Sequence, residues 1–384
     1  MTERSSGGNS SRTLKSLLIV KPSSLGDILH ALPLVDELHS AFPGIAVDWV
    51  ANGEFVPLIR RHPGLRNVWE FPRKEFGRTA FFGKMGILSR NLSAHPYEVV
   101  LDAQGLLRSA LLSRMAARRA GSLVIGFASA REGATLFYDR RVSIPESPGH
   151  PFHAVPRNLL FLEALGAGKG GAPGPLPLQY GPEDRETVDR LLTECGLLPG
   201  EPFIALHPGA RRESKRWPST YFSDLLRSMG EKGLPRPILL GDRGESSLLS
   251  QIESRSGVPV SVLAGRIPLD LLPHFLSRAI LFVGNDSGPL HMAALSGVPT
   301  LSFYGSSDPG RTGPWGNPQR NIVLREPVAC SPCGDFRKSC AHMTCQVTLT
   351  PSLALDSVLL LLERARERGI GSVPLPTLSG SGPR

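Results

Sequence analysis

Short apolar runs alternate with polar, glycine-containing loops along the first half of the chain. Residues 16–21 (SLLIVK) and 45–51 (IAVDWVA) have the length of strands, and the first run ends in the loop PSSLGD. Residues 99–103 (VVLDA) repeat the pattern before the loop QGLLRSA. Because apolar runs of four to eight residues that end in turns are typical of buried parallel strands, all three segments are predicted as strands.

A helix is predicted directly after the first strand. Residues 27–40 place apolar side chains near helical spacing, and Pro33 should kink this helix or occupy its first turn. The apolar positions are Ile28, Leu32, Val35 and Leu38. Strands that alternate with helices in this way predict a doubly wound α/β fold.

The second half of the chain repeats this pattern. Four apolar runs each lead into a polar loop, and residues 353–368 have the amphipathic pattern of a final helix. The four predicted strands are residues 203–206, 237–240, 280–283 and 300–304. In open parallel sheets, ligands bind at the rim formed by the carboxyl ends of the strands, so these loops are predicted to form a binding rim.

The length of 384 residues fits two domains of roughly 100–200 residues each. The segment 166–183 is rich in glycine and proline and is the predicted interdomain linker. We therefore predict two Rossmann-like domains and a final helix between disordered termini. The predicted ranges are 1–14 for a disordered leader, 15–180 for the first domain, 181–350 for the second domain, 351–368 for the helix and 369–384 for a disordered tail.

The formal charge of +9 favours anionic partners such as nucleic acid, lipid headgroups or phosphorylated sugars. Basic residues are spread along the sequence without a block of five or six, and this does not favour a nucleic-acid tail. No apolar run approaches the roughly 20 residues that span a bilayer, and the N-terminus lacks the apolar core of a secretory signal. We therefore expect a cytoplasmic location.

The segment GNDSGPLHMAA (residues 284–294) follows a predicted strand and opens a helix. Asp286, Ser287 and Gly288 lie where the free N–H groups of a helix N-terminus can bind an anion, and Gly288 lets a phosphate approach the backbone. His291 follows one turn later and could contact the same phosphate. The alternative is a simple Asp or Ser helix cap with a packed histidine.

The loop HPGARRESKRWP (residues 207–218) places several cations after a strand, and this arrangement suits a diphosphate. Lys215 and Arg216 lie near its end, although a solvated basic loop would have the same composition. Trp217 and Pro218 are predicted to open the next helix.

Carboxylates follow two other predicted strands. In the loop GDRGE, Asp242 or Glu245 could accept hydrogen bonds from ribose hydroxyls, although a simple surface position would also explain them. In the first half, Asp27 follows two serines and a glycine and is a candidate general base or helix cap. The sequence has no G-x-S-x-G, H-E-x-x-H or P-loop motif, which argues against the enzyme classes that use them.

Four arginines of the first half are candidates for binding carboxylates or phosphates of an acceptor. For each of them alone a simple surface position is favoured, but as a set they lie on the domain that lacks the predicted nucleotide loops, and this improves the case for binding. They are Arg108, Arg131, Arg140 and Arg157.

Four of the five cysteines form the pattern C-x2-C-x6-C-x4-C near the C-terminus, with His342 inside it. Cytosolic thiols stay reduced, so a structural metal and reduced structural thiols are the two main readings, ahead of a disulfide. The cysteines are Cys330, Cys333, Cys340 and Cys345.

Several long segments resemble one enzyme family over residues 17–362. The chain resembles the ADP-heptose:lipopolysaccharide heptosyltransferases of glycosyltransferase family 9. The segments VVLDAQGL and AREGATLFYDRR are most similar to heptosyltransferase I, whereas the cysteine-containing tail is more similar to heptosyltransferase II and to the family in general. The other matching segments are LLIVKPSSLGDILHALP, FHAVPRNLLFLEALG, HPGARRESKRWP and VGNDSGPLHMAALSGVPTLSFYGSSDPGRTGPWG.

The resemblance implies a GT-B fold, with an acceptor-binding first domain and a second domain that binds the ADP-sugar across a cleft. It implies an inverting transfer of heptose from ADP-L-glycero-D-manno-heptose to 3-deoxy-octulosonic acid or the first heptose of the lipopolysaccharide inner core, without a metal or other cofactor. Asp27 would be the general base, and Lys215 would neutralise the diphosphate as ADP leaves. The implied donor-binding residues are Ser24, Gly26, His207, Lys215, Glu245, Asp286, Ser287, Gly288 and His291.

We expect a monomer that contacts the cytoplasmic face of the inner membrane peripherally and has no nucleic-acid partner. Two alternatives remain open. The first is a family 9 transferase with another acceptor, such as a protein, or another nucleotide sugar. The second is a non-catalytic binder of nucleotide sugars or anionic lipids, which would have no need for a base such as Asp27.

Overall fold

The computed structural model describes residues 13–73, 79–118, 121–145, 151–171, 173–333, 340 and 342–368. The first half of the chain forms a sheet in which all described strand pairs are parallel. Its strands are β1 (Ser16–Val20), β2 (Ala46–Asn52), β3 (Asn67–Phe71), β4 (Val99–Asp102), β5 (Leu123–Phe127) and β6 (Arg140–Val142). Their order across the sheet is β3-β2-β1-β4-β5-β6.

Strand β1, in the middle of the first sheet, is apolar along its whole length, and its packing explains why. Leu17 and Ile19 pack into a hydrophobic cluster on one face of the sheet, whereas Leu18 and Val20 pack into a second cluster on the other face. Successive side chains of a strand point to opposite faces, so a strand that is covered by helices on both faces must be apolar at every position.

The predicted helix after β1 is two helices. Pro33 is the first residue of the second one, where its missing N–H group removes no hydrogen bond, so the expectation of a first-turn position is confirmed. The helices of the first half are α1 (Leu25–Ala31), α2 (Pro33–Ala41), α3 (Val56–Arg60), α4 (Thr79–Ala94), α5 (Leu107–Ala116) and α6 (Ala154–Ala164).

The second half of the chain forms another six-stranded parallel sheet. Its strands are β7 (Phe203–His207), β8 (Arg236–Gly241), β9 (Ser261–Ala264), β10 (Leu281–Asn285), β11 (Thr300–Tyr304) and β12 (Asn321–Arg325), in the order β12-β11-β10-β7-β8-β9. Its helices are α7 (Pro182–Glu194), α8 (Ser219–Glu231), α9 (Ser246–Ser256), α10 (Leu272–Leu276), α11 (Gly288–Leu295), α12 (Pro309–Thr312), α13 (Thr344–Val347) and α14 (Pro351–Glu367). The predicted final helix is therefore confirmed as α14.

Both sheets have the same topology. The chain order reverses between β1 and β4 in the first sheet and between β7 and β10 in the second, which is the doubly wound arrangement predicted from the sequence. A crevice opens at the carboxyl ends of the strands where the order reverses, and ligands of such folds bind there. A ligand site is therefore expected at the loops after β1, β4, β7 and β10.

Within the described residues, the two halves of the chain contact each other at several places. Helix α1 packs against α11, so the rims of the two sheets face each other. Away from the rims, the guanidinium of Arg61 binds the carboxylate of Asp184 through two nitrogens and lies 2.7 Å from Asp270 Oδ2. The domain boundaries stay predictions. No helix of the described residues is both long enough and apolar enough to cross a bilayer.

Candidate active site

The loop after β1 places a carboxylate at the rim of the first sheet. Ser24 precedes α1, and its hydroxyl donates a hydrogen bond of 2.6 Å to Oδ2 of Asp27. The backbone N–H of Ser24 donates to the same oxygen over 3.1 Å. Asp27 therefore does cap its helix, but it also remains exposed to solvent and accessible to a ligand.

Lys21 is the cation that lowers the pKa of this carboxylate most. Its side chain is buried, and Nζ donates to the carbonyl oxygen of Ala103 over 3.1 Å. Burial lowers the pKa of Lys21, although the charge of Asp27 opposes that change. The surrounding protein partly desolvates the carboxylate of Asp27 even though solvent reaches it, and this tends to raise its pKa. Lys21 and the hydrogen bonds from Ser24 prevail and hold the pKa of Asp27 below its usual value. Asp27 is therefore ionised and able to accept a proton.

A cavity of about 280 Å³ lies beside Asp27 on the first rim. Arg131 and Arg157 line it, and the guanidinium of Arg157 lies 4.5 Å from the centre of the Phe127 ring. Burial lowers the pKa of Arg157. The other lining residues that matter chemically are Lys21, Gln104, Ser129 and Asn158.

The other two predicted acceptor arginines lie elsewhere. Arg108 is exposed in the first turn of α5, and Arg140 is exposed on the edge strand β6. The guanidinium of Arg140 donates to the carbonyl oxygen of Ala164. Among the described residues, neither arginine lines the cavity beside Asp27. The structure thus separates the four arginines into two pairs.

Asp286 is the centre of a charged cluster at the rim of the second sheet. Its carboxylate is 5% exposed and lies 2.5 Å from Nζ of Lys215 and 3.4 Å from Nε2 of His291. Ser307 also donates its hydroxyl proton to Asp286. Burial tends to raise the pKa of Asp286, but His291 and Lys215 hold it well below the usual range. Asp286 is therefore an ionised anchor for both basic groups rather than a helix cap.

The side chain of Asn285 holds the basic loop (residues 207–218) close to Asp286. Its side chain is fully buried, donates to the carbonyl oxygen of Pro208 over 2.7 Å, and accepts from the backbone N–H of Trp217 over 2.9 Å. These bonds attach both ends of the loop to β10. Helix α8 begins directly after Pro218, as predicted.

A second cluster joins the loops after β7, β8 and β10. Nε2 of His207 lies 3.5 Å from Oε2 of Glu245, and Nδ1 lies 3.3 Å from the hydroxyl of Ser287. Burial tends to raise the pKa of Glu245, but the hydrogen bond and charge of His207 lower it overall. A side chain at Gly209 would collide with the carboxylate of Glu245, so Glu245 could keep this position only beside a glycine. The ribose contact of Glu245 stays a prediction.

The two rims meet where α1 contacts α11. A Cβ atom at Gly26 would lie 3.1 Å from Cδ2 of His291, and one at Gly288 would collide with Leu25. Asp27 follows Gly26 directly, whereas His291 belongs to the cluster around Asp286. A ligand in this crevice would therefore meet a base on one side and a cation-bearing cluster on the other.

The chain is similar to known proteins in sequence. The sequence matches glycosyltransferase family 9 (heptosyltransferase) over residues 85–366. The chain belongs to glycosyltransferase family 9. It is 32% identical to lipopolysaccharide heptosyltransferase 1 of Pseudomonas aeruginosa over 85% of this chain and 87% of that relative. The corresponding Escherichia coli K12 protein is 30% identical over 81% of this chain and 93% of its own length.

Solved structures agree with the family assignment. The E. coli heptosyltransferase WaaC with ADP superimposes with a TM-score of 0.70 at 27% identity, over 91% of this chain and 99% of that one. A family 9 glycosyltransferase from Veillonella parvula gives a TM-score of 0.75 at 19% identity, over 91% of this chain and 98% of that chain. The expected GT-B fold of two Rossmann-like domains is therefore confirmed, and the chain is a glycosyltransferase.

Several residues of this family 9 site were not predicted from the sequence. Lys21 directly follows β1, Tyr304 is the last residue of β11, and Ser307 lies in the loop after it. None of the three belongs to a motif that points to a binding site. The hydroxyl of Tyr304 donates to the carbonyl oxygen of Thr312 over 2.8 Å and lies 3.5 Å from Asp286. Their positions at the carboxyl ends of β1 and β11 were the only sequence feature that could have marked these residues as part of a ligand site.

The cysteine pattern gives no metal site within the described part of the chain. No group of three or more His, Cys, Asp or Glu side chains there could hold a metal ion. All five cysteines are free thiols. Burial raises the pKa of the Cys345 thiol, as do its neighbours Cys333, Cys330 and Cys340. Residues 334–339 and 341 of the cysteine segment lie outside the described residues.

A larger cavity of about 720 Å³ lies away from these rims. It is formed by the segment 175–181, Arg185 and parts of α10. None of the predicted site residues is among its described lining residues, and its volume alone does not make it the active site.

Proposed function

We propose that this enzyme transfers heptose from ADP-heptose to the inner core of lipopolysaccharide. The observation that carries the proposal is the position of Asp27 on one rim, opposite the cluster of Lys215, Asp286 and His291 on the other. The names of the relatives support it, since they are lipopolysaccharide heptosyltransferases, and a neighbouring structure contains ADP-2-deoxy-2-fluoro heptose.

In the proposed reaction, Asp27 accepts the proton of an acceptor hydroxyl while that oxygen attacks the anomeric carbon of heptose. The bond from this carbon to the diphosphate breaks, ADP leaves from the opposite face, and the configuration inverts. Negative charge builds up on the diphosphate, where Lys215 and the N-terminus of α11 would stabilise it. The reaction therefore needs the two rims to enclose both substrates, which would also exclude water.

The cavity beside Asp27 suits an anionic acceptor. Lys21, Arg131 and Arg157 surround it with positive charge, and planar guanidinium groups bind carboxylates through paired hydrogen bonds. A 3-deoxy-octulosonic acid residue carries such a carboxylate, so we assign this cavity to the acceptor. We further propose a monomer that contacts the inner membrane peripherally, where this acceptor is displayed.

Release of ADP from ADP-heptose by the purified enzyme tests the proposal. We expect release only when lipid A that carries 3-deoxy-octulosonic acid is present. Binding of ADP-heptose without release would keep the donor and move the acceptor to a heptosylated core or a protein. Absence of any ADP-heptose binding would contradict the proposed donor.

A further inference from the structure

A row of four aromatic rings crosses the contact between the two halves of the chain. The ring of Trp315 lies 4.8 Å from that of His153, which lies 5.3 Å from His30. His30 in turn lies 4.4 Å from His291, edge to face. His30 and His153 belong to the first half and the other two rings to the second, so the row links α1 to the donor helix α11.

His30 is an unusual choice for the middle of this row. Its side chain is 2% exposed, and neither ring nitrogen has a hydrogen-bond partner among the described residues. A buried polar atom without a partner destabilises a fold, so an aliphatic side chain would pack there at lower free energy. Packing alone therefore does not account for an imidazole at this position.

The neighbour of His30 has a defined orientation that matters for the donor site. Nε2 of His291 faces Asp286 over 3.4 Å, while its Nδ1 has no hydrogen-bond partner within the described chain. Hydrogen bonding thus restrains the His291 ring at one atom only. The edge contact with His30 adds a packing restraint on this ring, beside the close approach of Gly26.

His30 lies on helix α1, which carries the proposed base and also contacts the donor helix α11. It lies three residues after Asp27, one turn along the same helix, while its ring touches the other domain. Burial lowers the pKa of His30 well below its ordinary value, as do His291 and His153, so the ring is neutral and does not repel its neighbours.

We propose that His30 is a positioning residue that holds the ring of His291 in its donor-binding orientation across the domain interface. This inference rests on the proposed donor site. His30 itself touches no substrate, so its loss should weaken ADP binding through His291 alone. Interactions between residues in contact are commonly worth between about twofold and a hundredfold in an equilibrium constant, and the lower part of this range applies to a single ring contact.

The test replaces His30 by an aliphatic and by an aromatic residue. We expect His30→Leu to keep the wild-type melting temperature or raise it, yet to weaken ADP binding by about three- to tenfold in calorimetric titrations. His30→Phe retains a ring at this position and should recover most of the affinity. The control His39→Leu removes a histidine of the adjacent helix α2, which binds the carbonyl oxygen of Gly64, and should leave ADP affinity unchanged.

A double-mutant cycle separates positioning from general disturbance. In a His291→Ala background, His30→Leu should cause no further loss of ADP affinity, because the ring that it positions is gone. An equal loss in both backgrounds, or no loss in the wild-type background, would overturn the proposal.

Nitrogen-15 spectra of the histidine rings give a readout that does not depend on ADP. In the ligand-free protein, His30→Leu should shift or broaden the signals of His291 while those of His39 stay in place. Unchanged His291 signals would refute the positioning role. If the wild-type enzyme failed to bind ADP, the proposed donor would be wrong, whereas these spectra would still decide the role of His30.

Discussion

The rims of the two sheets hold their charges in different ways. On the second rim, Lys215 lies 2.5 Å from Asp286, and His207 lies 3.5 Å from Glu245. On the first rim, Arg131 and Arg157 face a cavity and have no ion pair within the part of the chain that the structure describes. The second rim therefore holds these charges in close pairs before a ligand binds, whereas the described lining of the first-rim cavity has three cations, Lys21, Arg131 and Arg157, for the one carboxylate of Asp27.

This difference indicates which of the two steps, acceptor binding or departure of the diphosphate, uses groups that are already in place. Groups that are already oriented by hydrogen bonds need little rearrangement when charge develops, which suits the departure of a diphosphate. Cations that lack partners gain most from an anionic ligand, because a buried or partly buried charge is stabilised when it is paired. We therefore expect the first rim to recognise an anion and the second to stabilise a leaving group.

The largest expected effect concerns the base. Asp27→Asn should leave ADP affinity nearly unchanged and slow turnover by at least ~10²-fold, the lower end for general-base catalysis. Because the base acts in its ionised form and its pKa lies below the usual value, protonation of Asp27 should slow wild-type turnover only at pH values below the range in which an ordinary aspartate titrates. Steady-state kinetics across pH, with ADP titrations of the variant, provide the measurement. Near-normal turnover of Asp27→Asn would remove Asp27 from this role.

Loss of the cation on the second rim should rank next. Lys215→Ala leaves the charge of Asp286 unbalanced beside the diphosphate, so ADP affinity and turnover should each fall by about tenfold or more. The exposed Lys232→Ala is a matched control. Equal affinities of the two variants for ADP would show that the basic loop does not face the donor.

Variants of the arginines in the first half of the chain test which of them contact the acceptor. Arg157→Gln and Arg131→Gln should raise the acceptor KM by about tenfold, since one charged hydrogen bond is worth about 1.5–3 kcal/mol. Arg140→Gln should have little effect, because its guanidinium binds a backbone carbonyl outside the cavity. Initial rates at varied acceptor concentration would show this order, and a larger effect at Arg140 would contradict the assignment of the cavity.

The smallest effect on turnover is expected at Asn285, whose side chain joins the two ends of the basic loop to β10. Asn285→Ala leaves the Trp217 N–H and the Pro208 carbonyl without their partner, so the free energy of unfolding should fall by about 1–3 kcal/mol. Urea unfolding measures this loss. Asn317→Ala, which removes an exposed hydrogen bond within a turn, should lower the free energy of unfolding less. An equal loss in both variants would contradict the stabilising role of the Asn285 hydrogen bonds.

The sequence predicted the strands and the rim loops because apolar runs and turn residues are local signals. It could not show that Lys215 pairs with Asp286, since 71 residues separate them and only the alignment of β7 with β10 brings them together. Arg140 and Arg157 looked alike for the same reason. One lies on an edge strand and the other on α6 beside the cavity, and this distinction depends on tertiary packing.

Calorimetric titration of ADP into variants of each rim tests the division between the rims most directly. We predict that a protein with Asp27→Asn, Arg131→Gln and Arg157→Gln together binds ADP within about twofold of the wild-type affinity, as independent sites do. Lys215→Ala should bind ADP about tenfold or more weakly. The opposite pattern, with ADP affinity lost in the first-rim variant and kept in Lys215→Ala, would contradict the assignment of acceptor and donor to the two rims.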